Sequence, residues 1–493
     1  MKLIPRKIPI KVGNKFVAVL SKTTAHKFDL HAGDRIQIKN GHKGDLRAIL
    51  DVSENGEIDE NEIGLFSEPW KKLKTKRGDR ITVTIADKPI SLVYIREKLD
   101  GKKLSPEKYN EIIKDVVEDD LSDVEMAYFV SGCYKNGMTD DETVALTRSI
   151  VKNGGRLKFK KRIVMDKHCI GGVPGNRTTM IVVPIVAAAG LIMPKTSSRA
   201  ITSPAGTADT MEVLANVKND AKRLQQIANR VGGFITWGGG VDLAAADDHM
   251  IRVRNPLSLD PQGMLLASIM AKKFSVSANR VLIDIPCGPQ VKVKKRADAI
   301  ALGNKFKLIG RKLGMKVQVL ISNGEQPIGN GIGPVLEARD VLKVLACEKD
   351  APKDLREKGL KMAGILLELG EKAKKGQGYK KAKDLLDSGK ANKKFMQMIK
   401  AQGEQRIAIR EGEFAKHVLA KKTGKVVGIH NKLVARIART AGAPVDKQAG
   451  VYLYKKLGDK VKKGEKLFTI YADNKERLKN TEIFGLDNAY TVK

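Results

Sequence analysis

Residues 166–179 read Asp-Lys-His-Cys-Ile-Gly-Gly-Val-Pro-Gly-Asn-Arg-Thr-Thr, and they lie between a short β-rich run and a long apolar stretch. Glycines let backbone N–H groups approach an anion closely, and the N-terminus of a following helix contributes a positive dipole. Lys167, Thr178 and Thr179 supply further donors. Because Gly175 is followed by Asn-Arg, the segment is not a Walker A motif. It predicts a phosphate-binding loop, and a plain glycine-rich turn is the alternative if the segment is taken alone.

A second segment rich in donors covers residues 195–209, where hydroxyl side chains surround Arg199. Hydroxyl groups and an arginine suit the oxygens of phosphate and ribose. Ligands of parallel sheets bind at the carboxyl ends of the strands. Two such loops at strand ends would hold one anion as a nucleophile and a second anion on the substrate.

The N-terminal residues 1–88 alternate short β-like runs with turns. Gly-Asp pairs at 33–34 and 78–79 each precede an alternating strand, which is a weak internal repeat. The repeat predicts a small pseudo-symmetric β-barrel, with two unrelated turns as the alternative. From Ser105 the apolar spacing becomes helical and predicts a helical subdomain. Two pairs there have the spacing of capping boxes, Ser122 with Glu125 and Thr139 with Glu142.

The fold class predicted for the whole chain is multidomain α/β. After Arg162, β-rich runs alternate with helical stretches, which predicts a mixed or mainly parallel sheet with crossover helices. The β-rich runs are 163–165, 234–237, 281–285 and 317–321. The predicted domains are an N-terminal β-barrel at 1–88, a catalytic region of helical subdomain plus α/β phosphate-binding domain at 89–410, and a C-terminal α+β domain at 411–493 that serves assembly.

The charge of the chain favours an anionic substrate or a polyanionic partner. Its 91 Lys+Arg exceed its 56 Asp+Glu, for a formal net charge of +35. A nucleic-acid-binding protein is therefore an alternative of another class. The basic residues are dispersed, and no nucleic-acid-binding signature is present, so this alternative is disfavoured.

The cysteines and apolar segments indicate a cytoplasmic protein without a membrane span. The four cysteines have no paired spacing, which favours reduced thiols over a disulfide framework or a zinc site. The longest uncharged apolar stretch, 180–194, is short for a membrane span and contains Pro184, so a buried helix is predicted.

The two donor-rich loops resemble those of thymidine and pyrimidine-nucleoside phosphorylases, in which K-H-S-x-G-G-V-G-D-K precedes K-x-S-G-R-x-x-x-x-x-G-G-T-x-D. The resemblance extends from about Ser105 to the C-terminus, with Cys169 in place of the family's serine. It implies phosphate contacts in both loops and a base pocket farther along. The substrate-binding residues inferred on this basis are Lys167, Gly172, Thr179, Ser197, Ser198, Arg199, Ala200, Ile201, Thr202, Ser203, Thr207, Arg254, Ser268, Lys272 and Lys292.

Ala-Ile-Thr-Ser at 200–203, Pro174 and the β-rich N-terminal extension resemble the archaeal AMP phosphorylase branch of that family. This implies phosphorolysis of AMP, with CMP and UMP as further candidates, to the free base and ribose 1,5-bisphosphate in nucleotide salvage. It also implies that Asp260, in Pro-Leu-Ser-Leu-Asp-Pro, protonates the departing base. A purine leaves more readily once its N7 is protonated, whereas a helix N-cap is the alternative role for Asp260. A thymidine or pyrimidine-nucleoside phosphorylase is the nearest alternative function.

No metal or cofactor is expected, because inorganic phosphate is the co-substrate and the anion loops neutralise it. Asp-Asp-His at 247–249 lacks a further ligand cluster, so a structural role at a helix end is predicted. The expected assembly is a homo-oligomer, a dimer or larger.

Overall fold

Six short strands near the N-terminus close into a barrel, because apolar residues alternate along them and fill its interior. The strands and their helices are β1 Lys2–Lys7, β2 Val17–Ser21, α1 Lys22–Lys27, β3 Arg35–Lys39, β4 Asp45–Ser53, β5 Glu62–Leu65, α2 Ser67–Lys72 and β6 Ile81–Ile85. Around the barrel they follow the order β1-β5-β2-β4-β3-β6. Ile36, Leu50 and Ile63 are completely buried inside.

The strand pairing of the barrel has the pseudo-symmetry that the Gly-Asp repeat predicts. Each half consists of three strands, with a short helix and a Gly-Asp turn between the second strand and the third. β2 runs parallel to β4 as β5 does to β1, whereas β3 is antiparallel to β4 as β6 is to β1. Gly33 and Gly78 have φ angles of +94° and +84°, which glycine adopts readily.

Four amphipathic helices follow the barrel: α3 Ser91–Leu99, α4 Pro106–Val117, α5 Asp123–Asn136 and α6 Asp140–Lys152. Ser105 caps α4, with proline at its first position. Both predicted capping boxes are confirmed at the starts of α5 and α6. The carboxylate of Glu142 in the second box is buried and accepts a hydrogen bond from Lys98 at 2.8 Å. This cap therefore also fixes α6 against the end of α3.

The α/β part begins with a strand that starts later than predicted. Its elements are β7 Met165–Cys169, α7 Thr178–Ala188, β8 Met193–Ser197, α8 Thr207–Met211, α9 Ala221–Val231, β9 Gly233–Trp237, α10 Ala245–Arg254, α11 Gln262–Ser275, β10 Arg280–Cys287, α12 Arg296–Lys312, β11 Lys316–Asn323, β12 Gly331–Ile332, α13 Pro334–Leu345, α14 Lys353–Leu369, α15 Gly378–Asp387 and α16 Lys390–Gln402. The predicted strand at 163–165 was misplaced and β8 was missed, because both strands carry polar residues that are buried.

The strands of this part run parallel. β10 lies between β11 and β7, and β8 pairs with β9. A parallel bridge between Val164 and Ile192 joins the edge of the first sheet to the start of β8. The loops after β7 and β8 therefore leave from the same, carboxyl end.

The C-terminal part contains two small antiparallel sheets and two helices. Its elements are β13 Phe414–Leu419, β14 Gly424–Ile429, α17 Asn431–Thr440, β15 Gly450–Leu453, β16 Lys460–Val461, β17 Lys466–Ala472, α18 Lys475–Asn480 and β18 Tyr490–Val492. One sheet has the order β12-β15-β17-β13 and the other β16-β14-β18. Because β12 belongs to the preceding α/β part, that part and the C-terminal part share a sheet.

The computed structural model describes residues 1–12, 16–200, 203–241, 243–254, 256, 259–405 and 407–493. The contacts divide the chain into a first unit, Met1–Asn153 with Ala246–Met264, and a second unit, Gly154–Ala245 with Leu265–Lys493. The sequence-based domain boundaries at 88/89 and 410/411 stay predictions.

The apolar stretch at 180–194 forms the predicted buried helix, α7, and then enters β8. Pro184 lies inside α7, and the helix is buried from Thr178 to Ala187. Among the described residues, no helix has the length and apolar character needed to cross a membrane. All four cysteines are free thiols.

Candidate active site

The glycine-rich loop between β7 and α7 is held by close contacts with other backbone segments. Gly172 has a φ of +94°, and a Cβ atom there would lie 3.0 Å from Cα of Val291 and 3.1 Å from N of Lys292. A Cβ atom on Gly175 would overlap the carbonyl oxygen of Ile328. The loop therefore requires glycine at both positions, and its packing brings the exposed Lys292 next to Gly172.

The start of α7 places two threonines and several N–H groups at this loop. Thr178 and Thr179 are the first two helical residues and are buried. Nζ of Lys167 donates to Oγ1 of Thr178 at 3.0 Å, and this hydroxyl donates to Oδ1 of Asn176 at 3.0 Å. The first N–H groups of a helix have no partner within the helix and favour anions.

Cys169, which replaces the family's serine, lies at the end of β7. Nδ2 of Asn176 donates to its Sγ at 3.3 Å. Burial raises the pKa of the Cys169 thiol to about 11, so the sulfur is protonated at neutral pH. The side chain adds no negative charge to the loop.

Two buried lysines, Lys195 and Lys273, lie against the carboxylate of Asp166, and the buried Lys167 is close enough to Lys195 to lower its pKa. We call Lys167, Lys195 and Lys273 with Asp166 the lysine cluster. Asp166 is fully buried, Lys273 forms an ion pair with it, and Nζ of Lys195 lies 3.7 Å from its Oδ1. Burial lowers the pKa of Lys167 to about 8 and that of Lys195 to about 7.

The lysine cluster contains three ammonium groups and one carboxylate. The nearby Asp284 is paired with Lys358 at 2.9 Å and therefore leaves the excess in place. Burial, with the neighbouring lysines, also lowers the pKa of His168 well below its usual value, so this ring is neutral. Because unpaired buried charge is costly, an anion bound at the ends of β7 and β8 would stabilise the protonated lysines.

Arg177 joins the two donor-rich loops and was not singled out from the sequence. Its guanidinium is buried and forms an ion pair with Glu337. The same group donates hydrogen bonds to the carbonyl of Ala205 and, at 3.2 Å, to Oγ1 of Thr207. Glu337 also accepts a hydrogen bond from Thr210 at 3.0 Å. These contacts fix the second loop beside the start of α7.

The second loop, after β8, is organised by Asp209. Its Oδ2 accepts hydrogen bonds from N of Ala200 at 2.7 Å and N of Gly206 at 2.8 Å. Arg199 is bound by two carboxylates, with Nη1 3.0 Å from Asp209 and Nη2 2.6 Å from Glu212. Its guanidinium is thus already paired with two carboxylates, and its contact with substrate stays a prediction.

The remaining predicted loop residues lie on the same loop. Ser197 ends β8, where its hydroxyl donates to the carbonyl of Ser198 at 3.4 Å. Ser203 donates to the carbonyl of Ala205 at 2.6 Å. Thr207 begins α8. The predicted residues Ile201 and Thr202 lie outside the described residues.

The predicted base-binding residues are divided between the two units. Ser268 and Lys272 lie on α11 in the second unit, four residues apart and therefore on one face of the helix. Arg254 and Asp260 belong to the first unit, where Nη1 of Arg254 lies 3.5 Å from Oδ1 of Asp260. The Asp260 side chain is 46% exposed, so its carboxylate is open to solvent.

The structure adds functional candidates that the sequence alone does not reveal. Asp166, Lys195 and Lys273 are brought together although Lys273 and Asp166 are 107 positions apart. The only sequence signal was indirect, since Lys195 opens the second donor-rich segment and Lys273 follows Lys272.

Two groups of acidic residues contain side chains of the types that bind metal ions. Asp247 and Asp248 lie in the first turn of α10, and Nδ1 of His249 is 3.6 Å from Asp119. Within the described ranges, the group with three suitable ligands in close reach is Asp115, Glu118 and Asp120, in the first unit.

Three regions of the chain match known families. Residues 93–154 match the helical bundle domain of a glycosyl transferase family, and residues 161–392 match the α/β domain of that family. Residues 425–492 match the C-terminal domain of pyrimidine nucleoside phosphorylase.

Relatives of nearly the same length carry two kinds of name. A putative thymidine phosphorylase of Rhodopseudomonas palustris is 45% identical over 95% of this chain and 92% of its own length. An AMP phosphorylase of Methanococcoides burtonii is 43% identical over 97% of this chain and 95% of its own.

Among solved structures, anthranilate phosphoribosyltransferase from Thermus thermophilus has a TM-score of 0.53 at 17% identity. The match covers 62% of this chain and 98% of the solved chain. At this identity the likeness concerns the fold alone.

Proposed function

We propose, from the premise that this chain belongs to the thymidine and AMP phosphorylase family of pentosyltransferases, that it cleaves AMP with inorganic phosphate. Phosphate attacks C1′ of the ribose, the C1′–N9 bond breaks, and a proton is added to the leaving adenine. The products are adenine and ribose 1,5-bisphosphate. CMP and UMP are candidate substrates of the same reaction.

The observation that carries this proposal is the lysine cluster. Two of its ammonium groups, those of Lys195 and Lys273, lie against the carboxylate of Asp166, and the third, that of Lys167, donates to Thr178 at the start of α7. A dianionic phosphate suits this excess of positive charge. The cluster is also buried, and in such an environment charge stabilisation is stronger than in water.

The 5′-phosphate of the nucleotide is assigned to residues 198–203 and to Lys292. The excess of cations in the lysine cluster supports binding of anions in this part of the molecule. Arg199 contributes indirectly, because it pairs with Asp209, whose carboxylate accepts a hydrogen bond from the backbone N–H of Ala200. Lys292 follows the residue against which Gly172 packs, so it lies beside the first loop.

Asp260 is proposed as the proton donor to the base, with Arg254, Ser268 and Lys272 as base-binding residues. As the glycosidic bond breaks, positive charge builds on the ribose and electrons move into the base. A carboxylic acid that donates its proton to N7 stabilises that change. The reaction as proposed uses no metal and no cofactor.

We further propose that the enzyme is a cytoplasmic oligomer of nucleotide salvage. Residues 411–493 are the candidate assembly domain. If these residues form an assembly domain, their deletion should reduce the number of chains per particle, as measured by light scattering.

Comparison of AMP, adenosine and thymidine as substrates tests the function. We expect adenine release from AMP to have the largest kcat/KM, because adenosine and thymidine lack the 5′-phosphate. The relative named as a putative thymidine phosphorylase makes thymidine cleavage the specific alternative. Faster phosphorolysis of thymidine than of AMP would establish that alternative instead.

A further inference from the structure

The loop between β11 and β12 packs against the glycine-rich loop between β7 and α7, and we call its residues 326–330 the support loop. N of Ile328 donates to the carbonyl of Pro174 at 3.1 Å. The carbonyl oxygen of Ile328 would in turn overlap a Cβ atom on Gly175. The two backbones are therefore in direct contact, so a shift of the support loop also displaces the glycine-rich loop.

Two carboxylates of the α/β part bind backbone N–H groups at the support loop. Oδ2 of Asp340, in α13, accepts hydrogen bonds from N of Asn330 at 2.6 Å and from N of Gly331 at 2.7 Å. Asp354, in the first turn of α14, accepts a hydrogen bond from N of Gly329 at 3.2 Å. Carboxylates satisfy only donors, so the carbonyl oxygens of the support loop need donors from another part of the chain.

Those donors come from Lys456, which follows β15 in the C-terminal part. Its Nζ donates to the carbonyl of Pro327 at 2.9 Å and to the carbonyl of Gly329. The same nitrogen donates to Oδ2 of Asp354 at 3.0 Å. An ammonium group has three N–H donors, and these three contacts use all of them. A side chain of the C-terminal part therefore holds the support loop on the side opposite to its N–H contacts.

We infer that Lys456 is a positioning residue for phosphate, and that it acts on the glycine-rich loop through the support loop. The inference rests on the proposed role of the glycine-rich loop in binding phosphate. Without the ammonium group, two carbonyl oxygens of the support loop lose a charged donor and Asp354 loses a cationic partner. Both losses cost free energy, which a shift of the support loop reduces. Because Ile328 is hydrogen-bonded to Pro174, that shift displaces the N–H groups that the glycine-rich loop presents to an anion.

A positioning role and a merely structural role of Lys456 give different kinetics. Displaced N–H groups weaken the binding of phosphate, so the KM for phosphate rises while the KM for AMP changes much less. A C-terminal part that is only less stable reduces the fraction of active enzyme. That reduction lowers the apparent kcat and leaves both KM values unchanged.

Steady-state phosphorolysis of AMP by the full chain carrying Lys456→Met tests the inference, with light scattering to compare its assembly with that of the wild type. We expect the KM for phosphate to rise by about tenfold, since a misplacement of about 1 Å can cost about 10²-fold. Calorimetric titration with sulfate should show the same loss of affinity without turnover.

Lys455→Met is the matched control. The Lys455 side chain is 23% exposed, against 20% for Lys456, and it pairs with Glu465 of the C-terminal part at 3.1 Å. This control also removes one charge and one ion pair, but its KM for phosphate should equal that of the wild type.

Asp354→Asn removes the same ion pair from its other side and should also raise the KM for phosphate, so it decides the matter if Lys456→Met fails to fold. A KM for phosphate equal to that of the wild type, or an equal rise in Lys455→Met, would overturn the inference and leave the proposed function intact. A wild type that releases adenine without any dependence on phosphate would instead overturn the proposed function, and the inference with it.

Discussion

Single side chains in the lysine cluster titrate near neutral pH, which links anion binding to proton uptake. Burial lowers the pKa of Lys195 to about 7 and that of Lys167 to about 8. A lysine is charged below its pKa, and a bound anion raises that pKa. Above pH 7 to 8, anion binding therefore requires protonation of these lysines, and this requirement weakens the observed affinity for the anion.

Sulfate affinity is predicted to fall as the pH rises from 6.5 to 9. Sulfate replaces phosphate as the probe, because its charge is constant over this range. Calorimetry in buffers of different ionisation enthalpy should show proton uptake at pH 8. Lys195→Arg keeps its charge and should flatten the pH dependence, while the exposed Lys160→Arg should not. A wild-type sulfate affinity that is independent of pH would contradict the role given to these lysines.

Asp260→Asn is predicted to lower kcat by a factor of about 10²–10⁴, the usual contribution of general acid catalysis. Affinity for AMP should change little, since the amide keeps the size and hydrogen-bonding capacity of the side chain. Loss of a helix cap alone would reduce stability by about 1 kcal/mol and leave kcat near normal. A nucleotide analogue whose base leaves without protonation should be cleaved almost normally. An equal loss on both substrates would exclude the acid role.

The sequence predicts some of the loops, strands and helices that carry these side chains better than others. The capping boxes at Ser122 and Thr139 are local signals, and they mark helix starts correctly. β7 was misplaced because Asp166 and Lys167 read as loop residues, whereas the fold buries them against partners distant in sequence. The contact of Arg177 with Glu337 spans 160 positions and has no local signature either.

Gly172→Ala is predicted to raise the KM for phosphate and to lower stability. The alanine would require a φ of +94° and would bring its Cβ 3.0 Å from Cα of Val291, so the loop must shift. Gly190, with a φ of +84° and open space around its Cβ position, is the matched control. Gly190→Ala should cost about 1 kcal/mol of stability with an unchanged KM. Equal phosphate KM values for the two variants would show that the close packing of Gly172 has no role in binding.

For the whole molecule, the barrel is expected to be separable from anion binding. The barrel has its own core, and all members of the lysine cluster belong to the second unit. Deletion of residues 1–88 removes the ion pairs of Arg35 with Glu125 and of Arg47 with Asp120, so a lower thermal midpoint is predicted. Sulfate affinity should be retained. Loss of sulfate binding in a truncated protein that still folds would show that the barrel contributes to the anion site.

The C-terminal part differs, because it contacts the loops of the second unit directly. Lys447 lies 2.9 Å from Glu212, which holds Arg199, and Asn431 donates to the carbonyl of Gly324 at 2.9 Å. The sequence, which lacks donor-rich loops after residue 410, indicated a role in assembly only. These contacts also give the C-terminal part a role in supporting the second loop.

The most direct test of the function is a measurement of adenine release from AMP as the phosphate concentration is varied, with phosphorus NMR of the sugar product. We expect no adenine without phosphate, saturation as phosphate is added, and one ribose 1,5-bisphosphate for each adenine released. Adenine release that does not depend on phosphate, or no release from AMP while thymidine is cleaved, would contradict AMP phosphorolysis as the function.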